Sequence, residues 1–152
     1  MRQVFFALAF ALTACAAPPV RADALSADPG ILRGCALDAG KDRDALEQCV
    51  GLVTRHCTAE EGGSNAMSDV LCHSAEADAW QALIDENTAR IAAADAVDGA
   101  LLVGANQAWT QWREAECNYR AYEYGGGSGE QYDRIDCHLR LTATRAIDLI
   151  VN

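Results

Sequence analysis

Trp109, Trp112, Arg113 and Arg145 are the side chains of this 152-residue chain whose types and spacing suit recognition chemistry. Trp109 and Trp112 stand three residues apart and Arg113 lies four beyond Trp109, so a helix would bring two indoles and a guanidinium to one side. Aromatic anchors beside an arginine are favoured at protein interfaces, where ring faces attract the cation. The same residues equally suit a helix-packing seam, with Arg113 tied to Glu114, Glu116 or a facing helix that carries Arg145. The seam is the preferred reading, because large aromatics commonly fill such positions.

Catalytic chemistry finds no comparable constellation. The three histidines lack a nucleophile partner, and no Ser/His/Asp order is evident. Glu76 with Glu86, and Glu114 with Glu116, read as solvated acids. Gly125-Gly126-Gly127-Ser128-Gly129 has the glycines of a phosphate cradle, but it lacks the lysine-serine pair and follows no strand, so a reversal between helices accounts for it better. The cysteines include no C-x-x-C pair, and Cys72-His73 and Cys137-His138 are adjacent residues that point apart on a helix. The chain is therefore expected to be no enzyme and to hold no metal or cofactor.

Seven cysteines and the N-terminus point to export. Met1 and Arg2 precede an apolar run from Val4 to Ala14, too short to span a bilayer as an anchor. Leu12-Thr13-Ala14-Cys15 reads as a lipobox, giving a signal peptide of 1–14 and an acylated Cys15. Cleavage after Ala22 is the alternative, with a signal of 1–22. Setting Cys15 aside leaves six cysteines, as expected for three disulfides in an oxidising compartment, with 15 connectivities open to sequence alone. Local reach pairs Cys117 with Cys137 across the glycine turn, Cys57 with Cys72 across residues 60–65, and Cys35 with Cys49. Cys35 with Cys57 and Cys49 with Cys72 would also leave no thiol over.

These features sit on a helical frame. Residues 15–30 lack periodicity, and residues 16–30 hold all three prolines, so 15–30 reads as a tether. Residues 31–65 form a cysteine-rich helical extension, with a helix from Asp42 or Asp44 to about His56. Asn65 or Ser64 starts a long helix reaching about Ala94, and Asp95 to Gly99 supplies a turn. A third helix from about Leu101 to Tyr122 places Leu102, Ala105, Trp109, Trp112, Glu116 and Tyr119 along one side. A fourth runs from Glu130 to Ile150 with Ile135, Leu139, Thr142, Ala146 and Leu149 in register. The expected fold is all-α: a small disulfide-stapled bundle of about four helices with a C-terminal antiparallel helix hairpin. The 51% of apolar residues argue against disorder, and because they lean on alanine they favour close helix packing with covalent staples.

Gln107-Ala108-Trp109, Trp112-Arg113-Glu114-Ala115 and Cys117, then the glycine turn, then Cys137, Leu141-Thr142 and Arg145 form an ordered set of unlike residues. This pattern resembles the lysozyme-inhibitor LprI-like N-terminal domain family of bacterial envelope proteins, with the matching domain at 66–152. An earlier element of the family is represented by Cys72, Glu76, Trp80 and Leu83, with Ile84 where Asn is usual and Asn87 where Tyr is usual.

The resemblance implies a periplasmic or secreted binding protein, with lysozyme inhibition as one activity. A formal net charge of −10 disfavours nucleic acid and anionic membranes and would steer a basic partner such as a lysozyme toward the domain. Simple solubility explains the same charge. A membrane would be met only through a lipid anchor at Cys15. The alternatives are a structural role in envelope maintenance or an uncharacterised hydrolase.

Overall fold

The computed structural model describes residues 27–62 and 65–152. The signal segment, Cys15 and most of the tether lie outside them. Six α-helices follow in order: α1 (Pro29–Ala39), α2 (Arg43–Gln48), α3 (Leu52–Glu60), α4 (Ala66–Ala94), α5 (Ala96–Ala121) and α6 (Ser128–Val151), with one 3₁₀ turn at Tyr122–Tyr124. No strand occurs among the described residues.

Local chemistry sets the boundaries. Asp28 accepts from Gly30 N at 2.8 Å, and Pro29 fills the first turn of α1, where a missing N–H costs nothing. Asp42 caps α2 through Ala45 N at 3.1 Å. The single helix expected from residue 42 or 44 to about 56 is instead two, because Gly51 takes φ +81° and turns the chain between them. Asn65 caps α4 by accepting from Met67 N and Ser68 N, while Ser68 Oγ accepts from Asn65 N, completing a reciprocal capping box.

The turn expected over Asp95 to Gly99 shrinks to Asp95 alone. This residue ends α4 in an extended conformation, and its carboxylate accepts from Val97 N and Asp98 N to start α5. Gly99 makes the tight reversal feasible. A β-carbon there would stand 2.4 Å from Ala92 Cβ and 2.5 Å from Ala92 Cα, so only hydrogen fits.

α4 is the central element, packed against α3, α5, α6 and α1. Trp80, Leu83 and Ile84 of α4 meet Leu139, Ala143, Ala146 and Ile147 of α6, and Leu32, Leu46 and Val53 close the core from the N-terminal helices. Alanines on α6 leave room for the indole of Trp80, which is fully buried. Disulfides join Cys35 to Cys49, Cys57 to Cys72 and Cys117 to Cys137, with Cα separations of 5.9, 5.7 and 5.5 Å. They tie α1 to the end of α2, α3 to α4, and α5 to α6.

Candidate functional site

α5 carries the residues singled out in the sequence, and its two sides have opposite characters from those of an ordinary surface helix. Only Gly99, Cys117 and Ala121 of its 26 residues are buried. The side facing α4 and α6 is largely polar: Arg113 donates from one terminal nitrogen to Thr142 Oγ1 at 2.7 Å and to Gln81 Oε1 at 3.4 Å. Its guanidinium carbon lies 5.0 Å from the Trp109 ring centroid, within the range of a cation–π contact. The other terminal nitrogen reaches Glu114 at 3.2 Å. Two turns earlier, Asn106 accepts two bonds from Arg145, at 2.7 and 3.1 Å, and donates to Thr88 Oγ1 at 2.9 Å.

Trp109, Arg113 and Arg145 thus lie in a seam shared by α4, α5 and α6, each partly buried. Trp112 does not join them: it is turned outward and 50% exposed. The side expected to hold Leu102, Ala105, Trp109, Trp112, Glu116 and Tyr119 together is divided, with Leu102 and Trp109 against the core and Ala105, Trp112 and Tyr119 outside. Periodicity misassigns this helix because its apolar residues are on both sides and its most polar side faces inward.

The outer side of α5 forms a continuous apolar stripe. Leu101, Ala105, Ala108, Trp112, Ala115, Tyr119 and Tyr122 recur at alternating steps of four and three residues, the spacing that holds a line of side chains toward a helical or flat partner. All seven are exposed, Leu101 at 69%, Tyr119 at 70% and Tyr122 at 81%. Beside the stripe on the helix surface lie Asp98, Glu116 and Glu123. Arg120 pairs with Glu116 at 2.7 Å, and the side chain of Arg113 is withdrawn into the seam at 13% exposure.

His138 of α6 lies behind Glu114, its Nε2 3.3 Å from Glu114 Oε2 but without an aligned hydrogen bond. Burial holds the imidazole below its usual pKa; Glu114 opposes this, and Arg113 and Arg134 add to it. The arrangement favours a neutral ring.

Glu76 is the polar residue that sequence reasoning misplaced. It is fully buried, and its carboxylate accepts from Gly51 N at 2.5 Å, Thr54 N at 2.7 Å and Trp80 Nε1 at 3.2 Å. It caps α3 from a different helix, where Gly51 has no side chain to do so. Its signal was the i, i+4, i+8 series Cys72, Glu76 and Trp80, which puts the acid in the middle of a buried stripe. Glu86, in contrast, is exposed and paired with Arg33 at 2.5 Å, which holds its carboxyl below the ordinary range.

Among the described residues no group of three or more His, Cys, Asp or Glu is placed to hold a metal ion. No helix among them is long and apolar enough to cross a membrane. No significant match was found among curated proteins or solved structures. A family model described as lysozyme inhibitor LprI matches residues 57–149, a span that takes in Glu76, the α4–α5–α6 seam, the outer stripe and two of the three disulfides. With most of its length under that match, the chain belongs to the lysozyme inhibitor LprI family.

Proposed function

We propose that this chain is an exported cell-envelope protein that binds a lysozyme or another basic envelope protein and performs no chemistry of its own. Family membership across residues 57–149 is the observation that carries the reading. The net charge of −10 supports it, because a cationic hydrolase would be drawn to the domain before contact. Three closed disulfides fit an oxidising compartment, and the basic start and apolar run of residues 1–14 supply the export route. Acylation at Cys15 would tether the domain to a membrane through residues 15–30, whereas cleavage after Ala22 would release it.

In this reading residues 31–65 brace the family domain at 66–152. The contact series Asn106–Arg145, Arg113–Thr142 and Cys117–Cys137 supports an antiparallel α5–α6 hairpin as its rigid platform. Trp109, Arg113 and Arg145 serve binding by fixing the angle of α5, and Trp112 serves it by contact.

The test is binding of the mature, oxidised protein to a panel of lysozymes and to periplasmic extract, with cell-wall hydrolysis measured alongside. Lysozyme capture whose association slows as salt rises is expected, since exposed charges are screened over roughly 10 Å at 0.1 M salt. Failure to bind any lysozyme at micromolar concentration would remove that partner, and substrate turnover by the purified protein would overturn the non-catalytic reading.

A further inference from the structure

We infer that the outer stripe of α5 is the docking face for the basic protein partner, with Trp112, Tyr119, Tyr122 and Leu101 as its anchors. This rests on the binding function proposed above and assigns it to one surface. The stripe spans 22 residues from Leu101 to Tyr122, or about 30 Å of helix. Trp112, Tyr119 and Tyr122, at 50%, 70% and 81% exposure, hold open on the order of 400 Å² between them. That is half of the roughly 800 Å² that one partner contributes to a standard interface, before Leu101 and three alanines are added. Apolar patches of this size on a monomer are commonly functional.

Three features suit the stripe to an incoming protein. Ala105 and Ala108 separate Leu101 from Trp112, and Ala115 separates Trp112 from Tyr119, which leaves recesses between the large side chains for those of a partner. Three of the four anchors are aromatic, so they bury much area while losing little conformational freedom. Behind them, α5 is held from within by the Arg113–Thr142 and Arg145–Asn106 bonds and by the Cys117–Cys137 bridge, so the face is rigid before it meets anything.

Charge selects the occupant. The acids Asp98, Glu116 and Glu123 border the stripe, and of the two arginines on the helix one is withdrawn into the seam and the other is paired with Glu116. An apolar centre with an acidic rim complements a surface whose apolar centre is rimmed by lysine or arginine. A second copy of this chain would bring the same acids against these and another −10 of net charge, which disfavours self-association.

Egg-white lysozyme serves as the cationic probe, with affinity measured by calorimetry against the oxidised full mature chain. The double variant Trp112→Ser with Tyr119→Ser should weaken binding at least tenfold, and Ala108→Arg should do the same by placing a cation mid-stripe. All three positions are exposed, so the melting temperature serves as the check that each variant is folded. Leu37→Ser, a control on α1 at 77% exposure, should bind as the parent does. Parent-like binding by both stripe variants would overturn the assignment while leaving the proposed function standing. Absence of binding by the parent to egg-white lysozyme, to the rest of the lysozyme panel and to every basic protein of the periplasmic extract would overturn both. A parent dimer that Trp112→Ser dissociates would assign the stripe to a second copy instead, and so overturn the choice of partner.

Discussion

Replacing Glu76 by alanine should be among the most damaging single changes in this protein. The carboxylate is fully buried and accepts three hydrogen bonds, two of them from the first turn of α3. Each bond to a charged acceptor is worth about 1.5–3 kcal/mol, and donors left buried and unpaired add their desolvation cost. Because the three bonds share one acceptor they do not sum, and a net loss of about 3–5 kcal/mol is expected. For a domain of this size that corresponds to a fall of about 10–20 °C in melting temperature. Guanidinium unfolding with the disulfides kept oxidised, followed by tryptophan fluorescence, measures it directly, and Trp80 beside the site reports the local environment. Glu76→Met separates the cause. If filling volume were the role of Glu76, Met would restore most of the stability, whereas a capping role leaves the N–H groups of Gly51 and Thr54 unsatisfied and Met nearly as damaging as Ala. A loss below about 1 kcal/mol in Glu76→Ala would show that α3 needs no cap from α4.

Gly99→Ala should cost about 1–3 kcal/mol by forcing α5 away from Ala92, and should lower the denaturant midpoint with little change in slope. Arg113→Ala removes the bonds to Thr142 and Gln81 and the stacking on Trp109, for an expected loss of about 2–4 kcal/mol. Arg113→Lys should recover little of it, because an ammonium cannot reproduce the planar stacking. His138 gives a pH dependence: its folded pKa is depressed, so the unfolded chain takes up the proton first as pH falls. Its contribution is therefore complete above about pH 6.5 and is lost as pH drops below that value. His138→Gln should flatten the decline in melting temperature between about pH 7.5 and 5.5; an unchanged decline would mean that other groups cause it.

Much of the framework was written in local sequence. Asn65 with Ser68, Asp95, and the glycines at 125–127 mark chain reversals by chemistry that acts over a few residues, which is why α4, α5 and α6 were legible with shifted ends. The family pattern was legible for the same reason, since Trp109, Arg113, Cys117, Cys137, Thr142 and Arg145 stand in a fixed order whatever they touch. The break at Gly51 was missed because one glycine inside an otherwise helical stretch is ordinarily tolerated. What made it a boundary is Glu76, 25 residues away, whose carboxylate secures the exposed start of α3. Glu76 itself read as a solvated acid, because burial of a charge becomes acceptable only when distant donors converge on it.

The sequence by itself determined an all-helical chain, its cysteine-rich character and its family, all of which follow from short-range spacing and residue order. Which side of α5 faces inward was decided only by the tertiary structure. Both sides of that helix carry tryptophan and neither is uniformly apolar, so periodicity could not choose between them. Thr142, Gln81 and Asn106 supply oxygen acceptors to Arg113 and Arg145, making the polar side the inner one. The free energy of satisfying two part-buried guanidinium groups thereby left Leu101, Trp112, Tyr119 and Tyr122 on the outside.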